Sequence, residues 1–331
     1  MIGEAPSIGG LGIRGLDSLW ARLSGRVPPE PLRMADRLIL DGLGLGLEQA
    51  MRYLRLEAPE LAEFEAWIVA TAGEPDPETV ARYHAWLDGL PPPPTTAARI
   101  AAIDALPPVL DTADLAHWDA HGWVILRQAI TPDEARASAE LLWRVTGARL
   151  DEPASWYGLD AQGIMIQCFQ APELEAPRRS DRVHKAFAQL WGTADLWHRI
   201  DRMSFNPPER GGYMFPGPHL HWDESIAPPI PFATQGILYF TDTAAHQGAL
   251  RLVPGFHHRL AEGWLGALDD ADPREVDLSA EAIPIPASAG DLIIWRQELP
   301  HGASPNRAAL PRMAQYVTMV SADLVPNPVW R

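Results

Sequence analysis

From residue 234 onward the chain alternates short β-prone runs with Gly, Pro and Asp breaks. TQGILYFTD (234–242), GALRLVPG (248–255), EAIPIPAS (281–288), GDLIIWRQ (290–297) and RMAQYVTMVSA (312–322) follow one another in this way. Runs of this length, rich in branched and aromatic residues, cannot bury their apolar faces alone, and they point to a sandwich or barrel. HRIDRMSFNPP (198–208) alternates well enough to be a further strand. WVILR (123–127) reads as a buried one, entered from a short helix, TADLAHWDAHG, that stops at Gly122.

The first third reads differently. Residues 1–30 are rich in Gly and Pro and are expected to be loosely ordered, and helical signals then dominate to about residue 106. EAPELAEFEAWIVATAG has apolar residues at helical spacing and ends on Gly73. DPETVARYHAWLDG opens with Asp76 as N-cap and Pro77 in the first turn, and closes on Gly89. PPPP at 91–94 is a stiff break. Further on, TPDEARASAELLWRVTG carries a capping box, Thr131 with Glu134, and another helix is expected over about 181–190. The expected organisation is a helical N-terminal extension over 1–106 and a mainly β domain over 107–331. The fold class is α+β with a mainly β core.

Composition narrows the function. A net charge of −16 over 331 residues argues against nucleic acid or an anionic membrane surface as the main partner. No apolar run reaches the roughly 18–20 residues of a membrane span. The N-terminus lacks the basic-then-apolar order of a signal peptide. Cys168 is the lone cysteine, so neither an intrachain disulfide nor a zinc ribbon is available, and a reducing, cytoplasmic setting is expected. The lone lysine, Lys185, sits in RVHKAF, outside any P-loop context, so a carboxylate or phosphate clamp must use arginine. GLGIRG (Gly10 to Gly15) is a formal GxGxxG, but it lacks the preceding strand that dinucleotide binding requires.

The stretch GPHLHWDESI (217–226) places three good metal ligands, His219, His221 and Asp223, at alternate positions. On a strand they share one side, with Pro218 marking a turn or strand edge before them. A third-party ligand is His301, just after the apolar run 291–296. His221, Asp223 and His301 together make two imidazoles and one carboxylate, the facial triad of non-haem Fe(II) oxygenases. Taken alone, an HxD is also what a solvated polar loop looks like. Arg312 adds to it: eleven residues past His301, it opens the next strand and can point into the same cavity as a bidentate carboxylate clamp. Its plain alternative is pairing with a surface Asp.

The series HWD … GALRLVPGFHH … GDLIIWRQELPHGASPNRAALPR closely resembles the phytanoyl-CoA dioxygenase family of Fe(II)/2-oxoglutarate-dependent oxygenases, over about residues 112–325 and not over the helical N-terminal third. The resemblance implies a double-stranded β-helix (jelly roll) core with flanking helices. It makes His221, Asp223 and His301 the iron ligands and Arg312 the partner of the distal carboxylate of 2-oxoglutarate. Gln235, Tyr239 and Asn206 become candidate contacts to the cosubstrate. The serine that the family often carries two residues after the distal histidine is replaced here by Ala303, with Ser304 beside it. The implied reaction consumes O2 and releases succinate and CO2 while a small organic molecule is oxidised. Related halogenases carry a small residue in place of the carboxylate, so Asp223 favours hydroxylation or another oxidation.

Met214 and Phe215, just before the motif, and Trp222 within it are candidate substrate contacts. Core packing is nevertheless the default reading for Trp222 and for Trp295. His219 is expected at the mouth of the site, His246 on an exposed turn, and His257 and His258 in a turn-forming segment. Two competing readings stay open: a cupin-type metalloenzyme that does not use 2-oxoglutarate, and a non-catalytic binding protein of the same fold. Substrate identity and oligomeric state are not assigned by the sequence.

Overall fold

The computed structural model describes residues 9–217, 219–268 and 271–331. The first eight residues of the stretch expected to be loosely ordered, and Pro218 with its expected turn, lie outside the described residues.

Helices Leu16–Leu23, Met34–Gly42, Leu47–Glu57, Leu61–Ala72, Pro77–Leu87 and Pro94–Ala105 occupy the N-terminal third. Local chemistry sets their ends. Asp76 accepts a hydrogen bond from the Thr79 amide at 3.1 Å, and Pro77 sits in the first turn, where its missing N–H costs nothing. The proline run delivers Pro94 to the same position in the next helix. Leu19, Leu38, Leu54, Phe64 and Ile68 belong to the core shared by the first five of these helices, which also includes Trp197, Val320 and Ala322 from the C-terminal part, whereas Ile103 of the sixth packs with Ala188 and Ala194. In the glycine turn the amides of Gly10 and Leu11 each donate to the Glu65 carboxylate at 3.1 Å. The chain's own carboxylate therefore fills the anion-binding turn of GLGIRG.

A seven-stranded antiparallel sheet forms the centre of the rest. Its order is Trp123–Leu126, Leu292–Arg296, Thr234–Tyr239, Arg312–Tyr316, Met203–Asn206, Met165–Ile166, Ala161–Gln162. Side chains alternate between two buried faces. Leu238, Leu292, Ile294, Phe205 and Met313 face helices Pro132–Thr146 and Asp181–Trp191. Ile237, Tyr239, Ile293, Trp295 and Ala314 face the other way, onto Leu250, Leu252 and Ile285. Because both faces are covered, the central strands read as continuous apolar runs and not as polar/apolar alternation.

The second layer is a three-stranded sheet in the order His301–Gly302, Arg251–Leu252, Ile283–Pro284, extended by an antiparallel bridge between His221 and His301. Two expected strands are shorter here than their sequence runs. GALRLVPG and EAIPIPAS contribute two paired residues each, because Pro254, Pro284 and Pro286 have no N–H to donate to a ladder. RMAQYVTMVSA, expected as one strand, divides in two: Arg312–Tyr316 stays in the large sheet, and Met319–Val320 pairs with Trp197–His198.

The capping box forms as expected, with the Thr131 amide donating to Glu134 at 2.8 Å and the Glu134 amide to the Thr131 hydroxyl at 3.3 Å. Gly122 ends helix Thr112–His121 in the left-handed region at φ 78°. The Lys185 ammonium donates to the Asp104 carbonyl at 2.8 Å, a structural tie between two helices. Among the described residues no helix is long and apolar enough to cross a membrane.

Candidate metal centre

His221 and His301 stand opposite each other and exchange both main-chain hydrogen bonds, at 2.9 and 3.0 Å. Directly opposed residues of an antiparallel pair point their side chains to the same side. Their rings lie 4.8 Å apart between centroids. Asp223, two residues after His221, projects into the same space: its Oδ1 is 3.2 Å from His221 Nε2, and its Oδ2 is 3.3 Å from His301 Nε2. One ligand atom from each of the three residues falls within 4.8 Å of the others.

Both rings are locked by the same device. His221 Nδ1 donates to the His219 carbonyl at 2.7 Å and His301 Nδ1 to the Leu299 carbonyl at 3.0 Å, in each case the carbonyl two residues earlier. A carbonyl only accepts, so Nδ1 carries the hydrogen and Nε2 is left to coordinate. Burial works against charge on His221, but the hydrogen bond and charge of Asp223 prevail and raise its pKa above the ordinary histidine value. Burial likewise opposes ionisation of Asp223, yet its hydrogen bonds to His221 and His301 hold the carboxyl well below the usual carboxylate range. The three side chains thus form a site that favours positive charge at its centre.

The carboxylate is held from behind. The Gln235 amide donates to Asp223 Oδ2, and the Gln235 carbonyl accepts from Trp295 Nε1 at 3.0 Å. Arg274 fixes the backbone on both sides of Asp223, donating to the Trp222 carbonyl at 2.7 Å and the Glu224 carbonyl at 3.0 Å while lying over the Trp330 ring at 4.5 Å. Replacement of such outer partners typically lowers metal affinity by roughly 10–100-fold. Arg274→Met is therefore expected to weaken Co(II) binding at the triad by at least about 10-fold, read by anaerobic titration, with Arg274→Lys recovering part of the loss. Equal affinity in wild type and Arg274→Met would remove Arg274 from the site's support.

Arg312 lies on the adjoining wall and is wholly buried. Its Nε donates to the Gly248 carbonyl at 3.1 Å and its Nη1 to the Ser204 hydroxyl at 2.8 Å. Among the described residues no carboxylate pairs with it. Triad and guanidinium border one cavity of about 150 Å³, whose walls also include Met165, Asp201, Arg202, Ile237, Trp295, Ala303 and Tyr316.

Other expected contacts fall elsewhere. The Tyr239 hydroxyl bridges the two sheets, accepting from the Leu250 amide at 2.8 Å and donating to the Ile285 carbonyl at 3.3 Å, and burial pushes its pKa up to about 12. Asn206 donates to the Ser304 carbonyl at 3.0 Å, and the Ser304 hydroxyl to the Ala249 carbonyl at 2.9 Å, so both amide and hydroxyl are engaged beside the cavity and not in it. Trp222, named as a candidate substrate contact with core packing as its default reading, packs in the inner core against Phe256 and Trp264, with its Nε1 donating to the Glu298 carbonyl at 2.8 Å. It sits between His221 and Asp223 in the chain and so takes the opposite face.

Met214 is 79% exposed and does not border the cavity, a correction to its expected role. Phe215 is buried against Ile164 and Ala303, the latter a cavity residue, without bordering the cavity itself. His219 is exposed and serves through its carbonyl. His257 and His258 open a helix, Phe256–Ala261, and both turn Nε2 to the Asp119 carbonyl. His246 is exposed, as expected for a turn. Sequence reasoning missed Ser204, Tyr316 and Arg202, although strict alternation along 202–206 and 312–316 puts them on the face of Arg312.

The family model described as Phytanoyl-CoA dioxygenase (PhyH) matches residues 118–314, well over half of the chain. The chain belongs to the phytanoyl-CoA dioxygenase family. That family is one of non-haem oxygenases that take iron and 2-oxoglutarate as cofactors. No curated protein matches it.

Solved structures similar to it include AviO1 from Streptomyces viridochromogenes Tue57, with 19% identity, covering 66% of this chain and 99% of that one at a TM-score of 0.47. EvdO2 from Micromonospora carbonacea var. aurantiaca, complexed with 2-oxoglutarate, is 18% identical and covers 67% of this chain and 94% of its own at a TM-score of 0.48. The epimerase SnoN, in complex with Fe3+, α-ketoglutarate and nogalamycin RO, is 16% identical and covers 69% and 87% at 0.48.

Proposed function

We propose that this protein is an Fe(II)- and 2-oxoglutarate-dependent oxygenase that hydroxylates, or otherwise oxidises, a small organic molecule. His221, Asp223 and His301 would hold the iron, and Arg312 the distal carboxylate of 2-oxoglutarate. The observation that carries this reading is Arg312: a buried guanidinium without a counter-charge among the described residues, in the same cavity as a His–Asp–His cluster. A buried unpaired charge costs several kcal/mol, so a fold that retains one is built around an anionic ligand. A cupin-type site has no use for it. The two facing antiparallel sheets support assigning residues 107–331 to a double-stranded β-helix, with 1–106 as a helical extension. The single, free Cys168 fits a cytoplasmic setting.

The donor set suits the cofactors. Two neutral imidazoles and a carboxylate leave open positions on an octahedral ion for a chelating ligand. When bound, iron and 2-oxoglutarate supply the oxidising power, with O2 consumed and the cosubstrate converted to succinate and CO2. The chain's own residues do the rest. The carbonyls of His219 and Leu299 keep both Nε2 atoms aimed inward, and Gln235 fixes one carboxylate oxygen of Asp223. Ser204 and the Gly248 carbonyl orient Arg312, and Ile237, Leu250 and Trp295 keep water from its surroundings. Asp223 would supply a carboxylate to the metal where related halogenases carry a small residue, so oxidation without halogenation is the expected outcome.

Anaerobic protein mixed with Fe(II) and 2-oxoglutarate should develop the weak visible charge-transfer band of a chelated 2-oxo acid. Admission of oxygen should then release succinate. A colourless mixture that forms no succinate would favour the cupin or binding-protein readings.

A further inference from the structure

The cavity holds a second guanidinium. Arg202 borders it along with the triad and Arg312. Its side chain is 17% exposed, and its Nε and Nη1 are buried without a hydrogen-bond partner. The nearest carboxylates stand off: Asp201 at 3.9 Å and Glu48, from helix Leu47–Glu57, at 4.0 Å. Both distances exceed those of charge-assisted hydrogen bonds, so neither acid satisfies the fork.

Strand register sets the two arginines at opposite ends of the pocket. Arg312 pairs with Asn206, whereas the Tyr316 amide donates to the Arg202 carbonyl at 3.2 Å. Four residues of strand separate these levels, about 13 Å between α-carbons. 2-Oxoglutarate has two carboxylates, one for the metal and one for Arg312. Both carboxylates of the cosubstrate thus have a partner other than Arg202.

We propose that Arg202 is the recognition site for a carboxylate on the substrate to be oxidised. The inference rests on the oxygenase reading above and names its substrate class: a small organic acid, entering with its carboxylate against the planar guanidinium fork and its carbon skeleton toward the triad. Glu48 places the helical extension at this end of the cavity, where it forms part of the surroundings of the bound acid. Arg202 is thus a specificity residue for a group that does not react.

The test uses full-length protein loaded anaerobically with Co(II) and saturated with 2-oxoglutarate, with butyrate and butyramide as probes followed by ligand-observed NMR. The expected result is that butyrate binds at least 10-fold more tightly than butyramide. Arg202→Gln should erase that preference while leaving 2-oxoglutarate affinity within 2-fold of wild type, and Arg202→Lys should restore part of it. Equal binding of acid and amide, no binding of either probe, or unchanged butyrate affinity in Arg202→Gln would each overturn the proposal. So would a loss of 2-oxoglutarate affinity as large as the loss of butyrate affinity, which would assign Arg202 to the cosubstrate. Failure of the oxygenase reading would register earlier, as no uptake of metal or 2-oxoglutarate before a probe is added.

Discussion

Asp223→Ala is expected to abolish succinate formation and to remove tight metal binding, with little loss of fold stability. Asp223 is the one anionic ligand of the three, and both imidazoles are aimed at it, at 3.2 and 3.3 Å. Without it, two neutral imidazoles face a dication with no charge to match. Loss of an outer partner already costs roughly 10–100-fold in metal affinity, and loss of a ligand costs more. The stability effect should be small because the Asp223 side chain is 48% exposed and belongs to no apolar cluster. Anaerobic Co(II) titration beside a denaturant melt separates the two quantities. Retention of wild-type metal affinity in this variant would show that the ion, if any, sits elsewhere.

His301→Ala should behave in the same way for metal, but with a larger stability cost. His301 is buried, and its ring packs 5.1 Å from that of Trp295. The two ligands thus differ in how far metal loss and destabilisation can be separated, and Asp223 is the cleaner probe.

How much of this was legible in the sequence depends on what each residue needs from its neighbours. The triad was legible because an HxD at strand spacing and a histidine after an apolar strand specify ligand chemistry locally, and only their meeting depends on the fold. Arg312 reaches the cavity by another route than its spacing suggested: the strand it opens is not the neighbour of Leu292–Arg296 but is separated from it by Thr234–Tyr239, which pairs with both. Tyr239, Asn206 and Ser304 were not legible. Each carries a polar group suited to a carboxylate, but the group it meets is a main-chain atom of the opposite layer, and no spacing rule gives that pairing.

The core position of Trp222 follows a local rule: a residue between two ligands on an extended segment faces away from them, and here that direction is the core. Arg274 had no sequence signal at all. It lies some fifty residues from Asp223 and acts through carbonyls, which any residue offers. The small sheet was overread because runs such as EAIPIPAS look like strands by composition, while their prolines limit pairing to two residues.

Arg312→Met is expected to weaken 2-oxoglutarate binding by at least about 100-fold while leaving the metal site intact. The substitution keeps an apolar stem of comparable length and removes the guanidinium held by Gly248 and Ser204. A carboxylate at that end of the cavity would then be buried without its partner. Truncating one side of a buried, hydrogen-bonded charge pair costs about 2–5 kcal/mol, and about 3 kcal/mol corresponds to a little over 100-fold.

Arg312→Lys should fall between the two, since it keeps the charge but cannot donate to Gly248, Ser204 and a ligand at once from a planar fork. The readout is the 2-oxoglutarate concentration at half-maximal development of the visible band, measured with iron already bound. Iron affinity itself should stay within about 2-fold of wild type, because Arg312 touches none of the three ligands and none of the carbonyls that hold them. An Arg312→Met protein that binds 2-oxoglutarate as wild type does would leave the buried guanidinium without a purpose. It would also break the one link between this cavity and a 2-oxo acid that does not depend on the metal.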